Sequence, residues 1–408
     1  MFGYFLKPFK SFRRSYLAGV ITASADDDPS TVSTYSVVGA TTGFSQLWLL
    51  LLSTPLLIVI HRMIARIGDI AKKGLITLIK ENFGRRSAFV CLAVLLAVNL
   101  LTLVADIVGM AAGFQLLTGE NYLYFIVPLI ILVWYVLVFD TYGHIIRYFF
   151  WVSGVLVAYI LAGILAKPDW GLIVKSVFWP PIKANVTYFA AALGLLGATF
   201  SPFTFIWQTE EEIEERHNAN HVKKTDRAVT LGFFYSNLVA FFIIVASAVA
   251  IANGRIDWLS VKDIAQALTP IVGGWATKLF GIGLIGSGIL AIPILAASSA
   301  YAAAEFFAWP EGLRLKPRRA KGFYAVITFG FAFCLASLLF NINPIKAMFF
   351  SQVLVGFVTP LIIYFILRIA GNRKIMGNYR SRWPALATGW LTVALLVAGD
   401  AFLIYYLF

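Results

Sequence analysis

Long runs of apolar residues, separated by short charged segments, set the pattern of this chain. A helix that crosses a membrane needs about 20 mostly apolar residues, and windows of that length predict eleven membrane spans. The predicted spans lie near residues 16–42, 45–65, 88–115, 121–139, 145–166, 186–207, 229–253, 268–304, 323–341, 344–368 and 384–407. The pattern therefore predicts an all-α polytopic membrane protein, surrounded by a lipid bilayer and without a soluble domain.

The first predicted span is interrupted by Asp26, Asp27 and Asp28, which stand directly before Pro29. Proline has no backbone N–H and disfavours the helical conformation in the residue before it, so we expect a helix break at the acids. Carboxylates at membrane depth are costly, and they are tolerated where they line a water-filled cavity or meet a cation. A broken helix with acids at its break indicates a cation site in a transporter.

The sixth predicted span has a second interruption, where Gly194 and Gly197 are followed by Ser201 and Pro202. Interrupted spans at corresponding positions in two halves of a chain are typical of transporters built from inverted repeats. We therefore expect a single transmembrane transporter domain over the whole chain. Its parts are predicted as repeat one at about 15–166, repeat two at about 186–371 and an extra helix at about 384–407.

Composition agrees with this pattern and bears on the alternatives. Apolar residues make up 60% of the chain and charged residues 13%, and the mean hydropathy is +0.82, whereas soluble domains are about a quarter charged. The net charge of +13 does not indicate nucleic acid binding, because Lys and Arg lie in short loops between apolar spans. Such loops are typical of the cytoplasmic side of a membrane protein.

The distribution of Lys and Arg predicts how the chain is oriented. With a cytoplasmic N-terminus, 26 of the 33 Lys and Arg residues fall on the cytoplasmic side. The segments on that side are the N-terminus and residues 61–86, 140–147, 208–227, 308–322 and 368–382. We therefore expect a multi-pass protein of the cell (plasma) membrane with an extracellular C-terminus. The glutamates between Glu210 and Glu215 are interpreted as a solvated extension of a helix.

Several short motifs carry a resemblance to a known family. Residues 28–31 read Asp-Pro-Ser-Thr where the family has Asp-Pro-Gly-Asn, and residues 197–203 include Ser-Pro-Phe where it has Met-Pro-His. Further matches are at residues 105–109, 351–353 and 372–377. The chain resembles the NRAMP family of divalent metal transporters, and more closely its divergent bacterial branch related to magnesium transporters. The resemblance implies a LeuT-type fold of two inverted five-helix repeats plus an eleventh transmembrane helix.

The breaks and the resemblance together define a candidate metal site. Asp28 keeps the carboxylate that binds metal in the family, and backbone carbonyls at the two breaks are implied as further ligands. Asp26 and Asp27 lie roughly 100° to 200° around a helix from Asp28, so they are expected beside the ion or in its vestibule. The candidate residues are Ala25, Asp26, Asp27, Asp28, Thr31, Asp106, Ala198, Ser201 and Gln352.

The departures from the family pattern bear on which ion is carried. Ser201 replaces the methionine that gives the family a thioether ligand, and Thr31 replaces an asparagine. Soft sulfur favours transition metals, whereas carboxylate, carbonyl and water ligands suit Mg²⁺, Ca²⁺ and Mn²⁺. Mg²⁺ dehydrates reluctantly and commonly binds through a few carboxylates with its water retained. The sequence therefore predicts transport of Mg²⁺, with Mn²⁺ as a second substrate and no resident cofactor.

Proton coupling in the family is linked to titratable groups that are missing here. Leu103 stands at the position of an acid on the third span, and Phe203 and Gln208 stand at the positions of two histidines on the sixth. The ninth span has no charged residue, although family members often carry arginine there. Because Asp106 alone remains, we expect weak or absent proton coupling.

Other functions stay open from the sequence. The alternatives are a proton-coupled Mn²⁺/Fe²⁺ importer, a LeuT-type symporter of an organic substrate, and a sensor on the same scaffold. Acids at the break would repel a substrate carboxylate, and no nucleotide-binding motif or catalytic constellation indicates a pump or an enzyme. His61, His144, His217 and His221 are interpreted as surface residues. No oligomeric state is predicted, and a monomer is compatible with the sequence.

Overall fold

The computed structural model describes residues 22–139, 156–214, 222–250, 262, 276–337, 339–340 and 342–407. These residues form α-helices joined by short connections, with no strand among them. The helices are α1 Pro29–Thr42, α2 Leu47–Ala71, α3 Leu75–Phe83, α4 Arg85–Thr118, α5 Leu123–Phe139, α6 Val157–Leu165, α7 Trp170–Phe178, α8 Val186–Thr199, α9 Pro202–Glu214, α10 Val222–Ala250, α11 Ala276–Phe307, α12 Lys321–Ser337, α13 Pro344–Ala370, α14 Arg373–Met376 and α15 Trp383–Leu407.

Every window predicted to cross the membrane contains helix in the structure. By length and composition, seven helical stretches of the described chain could span a membrane, and two shorter apolar helices, α5 and α12, accompany them. The first of these stretches, Pro29–Ala71, includes two predicted spans. Of the fifth predicted span, α6 lies within the described residues.

Both predicted helix breaks are present. Residues 22–26 are helical, Asp28 is extended with φ −67° and ψ 168°, and α1 begins at Pro29. Likewise α8 ends at Thr199, and α9 begins at Pro202 after an irregular pair of residues. In both spans proline starts the second half, because its missing N–H costs nothing at the first position of a helix.

The broken spans lie at the centre of the bundle. Helix α1 packs against α4, α8, α10 and α13. In the apolar window of Val186–Glu214, which contains α8 and α9, 94% of the residues are buried, against 17% in the window of α15. The cation-site candidates are therefore held inside the protein, while the last helix lies at its periphery.

Segments predicted for the cytoplasmic side meet at one end of the molecule, called the basal end below. The contacts that define it are Arg66 with Asp226, Lys80 Nζ with the carbonyl of Phe306, and Arg314 with Glu214. These contacts join three of the six segments predicted for the cytoplasmic side.

Candidate cation site at the helix breaks

Asp28 is the helix cap at the first break. Its Oδ1 accepts a hydrogen bond of 2.5 Å from the backbone N–H of Thr31 and a longer contact of 3.4 Å from Nε2 of Gln352. Aspartate is one of the preferred residues at the N-cap of a helix. The residue is fully buried, and its Oδ2 has no donor among the described residues. One carboxylate oxygen is thus fixed and the other is left for a ligand.

Asp106 approaches the same break from α4. Its Oδ1 accepts hydrogen bonds from the backbone N–H of Ser30 at 3.0 Å and from Ser30 Oγ at 2.6 Å. Asp106 lies close enough to Asp28 for their charges to interact. Gly109, one turn further, lets α4 come this near, because a Cβ there would lie 2.9 Å from the Cβ of Pro29.

The second break is held against α13 by a close contact between backbones. A Cβ on Gly197 would collide with the carbonyl oxygen of Gln352, so glycine is what allows α8 and α13 to touch. This contact places Gln352 beside both breaks, since its side chain reaches Asp28. The side-chain oxygens of Ser201 and Gln352 have no hydrogen bond of ordinary geometry among the described residues.

The two prolines also account for the backbone carbonyls implied as ligands. In an α-helix the carbonyl of one residue accepts from the N–H four residues later. The residues four positions after Ala25 and Ala198 are Pro29 and Pro202, and proline has no N–H to donate. Both carbonyls are therefore released from the helical pattern, and both residues are fully buried.

Buried polar atoms normally have hydrogen-bond partners, and a group of exceptions calls for an ion or water. At the breaks such atoms come from four separate helical segments and their connections. They are Asp26 Oδ1, Asp27 Oδ2, Asp28 Oδ2, Thr31 Oγ1, Asp106 Oδ2, Ser201 Oγ and Gln352 Oε1. All of them are oxygens, which are the ligands of hard cations.

The three consecutive acids face different neighbours. Asp27 Oδ1 accepts a hydrogen bond of 3.0 Å from Ser236 Oγ on α10, and Asp26 lies against the hydroxyls of Ser201 and Thr204. Within the described ranges, no three side chains of His, Cys, Asp or Glu converge as metal ligands. A cation held by Asp28 would therefore take much of its coordination from neutral oxygens and water.

His61 was expected at the surface, and that interpretation is wrong. Helix α2 continues to Ala71, so His61 lies in its middle, is fully buried and stacks on Phe233 at a centroid distance of 3.7 Å. Its Nδ1 and Gln208 Oε1 are 2.5 Å apart. The other three histidines, His144, His217 and His221, lie outside the described residues.

The glutamates after the second break were expected in solvent, and this is also wrong for Glu210, Glu211 and Glu212. They are only 3–4% exposed, because α9 packs between α2 and α11. Glu211 Oε2 accepts a hydrogen bond of 2.6 Å from Thr22 Oγ1. Sequence reasoning did not identify Thr22 or Ser236 as partners, since hydrophobic periodicity carries no information about contacts between distant segments.

An apolar cavity of about 280 Å³ lies between α4, α11 and α12. Leu103, one turn before Asp106, lines it together with Gly330 of α12. Its wall includes the hydrogen-bonded pair Asn99 and Ser299 and contains no acidic or basic side chain. Apolar surface thus occupies the region where α4 meets α12.

Sequence comparison places the chain among transporters. The family model "Nramp: Natural resistance-associated macrophage protein-like" matches residues 19–406. The divalent metal cation transporter MntH of Aeromonas hydrophila is 25% identical over 97% of both chains. The protein of the same name from Deinococcus radiodurans is 24% identical over 95% of this chain and 88% of its own.

Solved structures share the fold. A manganese transporter from Eremococcus coleocola, in complex with an aromatic bis-isothiourea substituted compound, superposes with a TM-score of 0.78 at 19% identity. The superposition covers 97% of this chain and 86% of that one. MhsT in complex with L-phenylalanine superposes with a TM-score of 0.62 at 13% identity, over 96% and 98% of the two chains. The predicted LeuT-type helical fold is thereby confirmed.

Proposed function

The chain belongs to the Nramp family and carries divalent metal cations. Within that class of ions, we propose that its main substrate is Mg²⁺, with Mn²⁺ second. The observation that carries the proposal is the set of buried oxygens at the breaks. Asp28 and Asp106 supply charge, and Thr31, Ser201 and Gln352 supply neutral oxygens. A hard ion that keeps part of its water fits such a set better than a soft ion.

One methionine sulfur lies near the first break. Met348 of α13 directs Sδ against Gly109 of α4, where it fills the contact between the two helices. Ser201 offers only a hydroxyl at the second break. The proposal therefore assigns no thioether ligand, and without one the site has no chemical means of excluding hard ions.

Transport is proposed to proceed without strict proton coupling. The apolar cavity lined by Leu103 and Gly330 supports this, because a proton path needs titratable groups and the cavity wall offers none. The membrane potential is then the driving force. It contributes roughly 2.3 kcal/mol per charge per 100 mV, and about twice that for a divalent ion.

The proposal includes the mode of transport and the placement of the chain. The ion is passed by alternating access around the two broken spans, whose halves can move separately at the breaks. The N-terminus and the basal end face the cytoplasm, and the two inverted repeats and the added helix keep the bounds expected from the sequence. The Lys and Arg distribution supports this placement.

Uptake into proteoliposomes tests the proposal. Mg²⁺ and Mn²⁺ uptake is measured for the wild type and for Asp28→Ala, with lumen pH recorded and Glu81→Gln as control, because Glu81 pairs with Lys73 at the surface. We expect uptake of both ions, its loss in Asp28→Ala alone, and no acidification. Mn²⁺ or Fe²⁺ uptake without Mg²⁺ uptake or competition would overturn the ion assignment.

A second candidate is proton-coupled import of Mn²⁺, and it is favoured by the names of the relatives, which include a manganese transporter. The same experiment separates the two. Acidification of the lumen that requires the metal and grows in proportion to its flux would establish coupling. An unchanged lumen pH during Mg²⁺ uptake would leave the uncoupled transporter.

A further inference from the structure

Four acidic side chains meet at the basal end, and they form a group called the acidic layer below. Its members are Glu210 and Glu214 on α9, Glu305 on α11 and Glu311 just after α11. Glu210 and Glu305 are each only 4% exposed. Buried carboxyl groups of like charge cannot all be ionised side by side at small cost, so the layer must be stabilised by something other than solvent.

Glu210 and Glu305 form the closest pair. Their Oε1 atoms converge on Gly74, where a Cβ would collide with both of them, so the two carboxyl groups lie side by side. Neither Oε1 atom has a donor among the described residues. Two carboxylates are acceptors only, so this arrangement requires that one of the two groups holds a proton.

The surrounding contacts indicate which group holds it. Oε2 of Glu305 accepts a hydrogen bond of 2.8 Å from the backbone N–H of Thr77, in the first turn of α3. A helix N-terminus stabilises negative charge. Glu305 is therefore the ionised partner, and Glu210 is the carboxylic acid that donates.

Two cations at the basal end bind acceptors outside the pair. Arg314 pairs with Glu214 at 3.2 Å, and Lys80 donates to the carbonyl of Phe306 at 2.7 Å. Charged and titratable groups on the elements packed around the pair include Asp69 of α2, Lys72 just after it, Lys80 of α3, Glu214 of α9, Tyr301 of α11, and Glu311 and Arg314 of the segment after α11. Glu214 and Glu311 add negative charge beside the pair and so favour retention of its proton.

The pair is mechanically connected to the first broken span. Glu211, next to Glu210, accepts the hydrogen bond from Thr22, which precedes the acids of the first break. Helix α9 thus holds the start of the first span on one side and α11 on the other. Separation of Glu210 from Glu305 would release both contacts together.

We propose that Glu210 and Glu305 are a proton-sharing latch that keeps the basal end closed, and that loss of the shared proton to the basal solution opens it. One proton leaves Glu210, the two carboxylates repel, and α9 moves away from α11. The proton stays at the basal end and does not accompany the metal. The biological role of this latch rests on the proposed transport function, but its opening can be measured without any ion flux.

The test follows the accessibility of a residue behind the latch. Ser24 is fully buried between Thr22 and the acids, so Ser24→Cys is prepared in a background with Cys91→Ala and Cys334→Ala. The full-length protein in proteoliposomes, free of divalent metal, is treated with a water-soluble thiol reagent at about pH 6 and about pH 8. The rate in Glu210→Gln at the same pH corrects for the reactivity of the thiol itself.

We expect labelling of the Ser24→Cys protein to be at least about fivefold faster than in its Glu210→Gln version at the higher pH, the size of ordinary conformational coupling. At the lower pH the two rates should agree. Glu210→Gln keeps a donor to Glu305 and should hold the latch closed. Glu305→Gln, whose amide can donate to Glu210, should behave in the same way.

Glu81→Gln, a change of a surface acid, should retain the pH dependence of the starting protein. Equal rates in the starting protein and in both glutamine variants at the higher pH, including no labelling at all, would overturn the latch. Failure of Mg²⁺ transport in the separate uptake experiment would overturn the proposed substrate and leave this result unaffected.

Discussion

Two pairs of buried carboxyl groups join a broken span to a neighbouring helix, and they are satisfied in different ways. Asp28 and Asp106 each accept hydrogen bonds from uncharged donors in the first turn of α1, and each keeps one oxygen without a donor. Glu210 and Glu305 instead direct their Oε1 atoms to the same place beside Gly74, with no donor to either among the described residues. Where neutral oxygens surround separated carboxylates, a cation can be coordinated; where two carboxyl groups lie side by side, a proton is the ligand that fits.

The largest expected difference comes from replacing one acid by its amide in each of the two pairs. Asp28→Asn should lower uptake of Mg²⁺ and Mn²⁺ about 100-fold, since a charged contact of about 3 kcal/mol is lost. Glu210→Gln should keep uptake within about twofold at low pH, where the latch is protonated in any case. Tracer uptake with matched protein amounts checks both. A strong loss in both variants at low pH would remove the distinction between the pairs.

The next effect concerns the backbone contact that places Gln352 beside Asp28. Gly197→Ala introduces a Cβ into the carbonyl of Gln352, and overpacking of this kind costs about 1–3 kcal/mol. We expect a lower melting temperature and a raised KM for Mg²⁺. Gly399→Ala is the control, because its Cβ would meet Leu193 at an ordinary 3.6 Å. Equal behaviour of the two variants would show that the contact is not needed.

A smaller effect is expected from changing the chemistry of the groups around Asp28 and Asp106. Ser201→Met adds a thioether at the second break, which should raise the ratio of Mn²⁺ to Mg²⁺ uptake about tenfold, or about 1.4 kcal/mol. Met348→Leu is the control and should leave the ratio unchanged, since Sδ of Met348 packs against Gly109. A fall in the ratio in Met348→Leu would identify that sulfur as a ligand instead.

The smallest effect belongs to the acidic layer. Burial, together with the charge of Glu214, raises the pKa of Glu311 from 4.5 to about 7. The folded protein therefore binds this proton more tightly than the unfolded chain, and the associated stability is lost as pH rises from about 4.5 to about 7. Glu311→Gln should flatten the melting temperature over that range by about 2 °C. An unchanged pH slope would contradict the assignment.

Local chemistry made the position of Asp28 at a helix break predictable. Pro29 and Pro202 fix the two breaks whatever surrounds them, and Asp28 caps the helix that follows. The contact between Asp106 and Ser30, in contrast, depends on how α4 lies against α1. The family resemblance supplied Asp106 as a candidate, and the close approach at Gly109 explains its position.

The acidic layer could not be predicted from local sequence. Consecutive glutamates after an apolar span have the same pattern whether the helix ends in water or continues into a packed interface. What decides is the neighbouring backbone: a Cβ on Gly68 would lie 2.7 Å from the carbonyl oxygen of Thr209, so α2 buries this face of α9. His61 was misplaced for the same reason, since Phe233 and Gln208 of distant helices bury its ring.

The carbonyls released by the two prolines have a consequence for how this protein can change over generations. Their availability depends on an absent N–H, so no substitution at Ala25 or Ala198 that keeps the backbone in place removes them. The two carbonyls proposed as ligands are thereby protected from side-chain substitution, whereas the hydroxyls of Thr31 and Ser201 are not. Such a division would let a lineage adopt a new ion by replacing a few side chains, with the two helix breaks inherited unchanged.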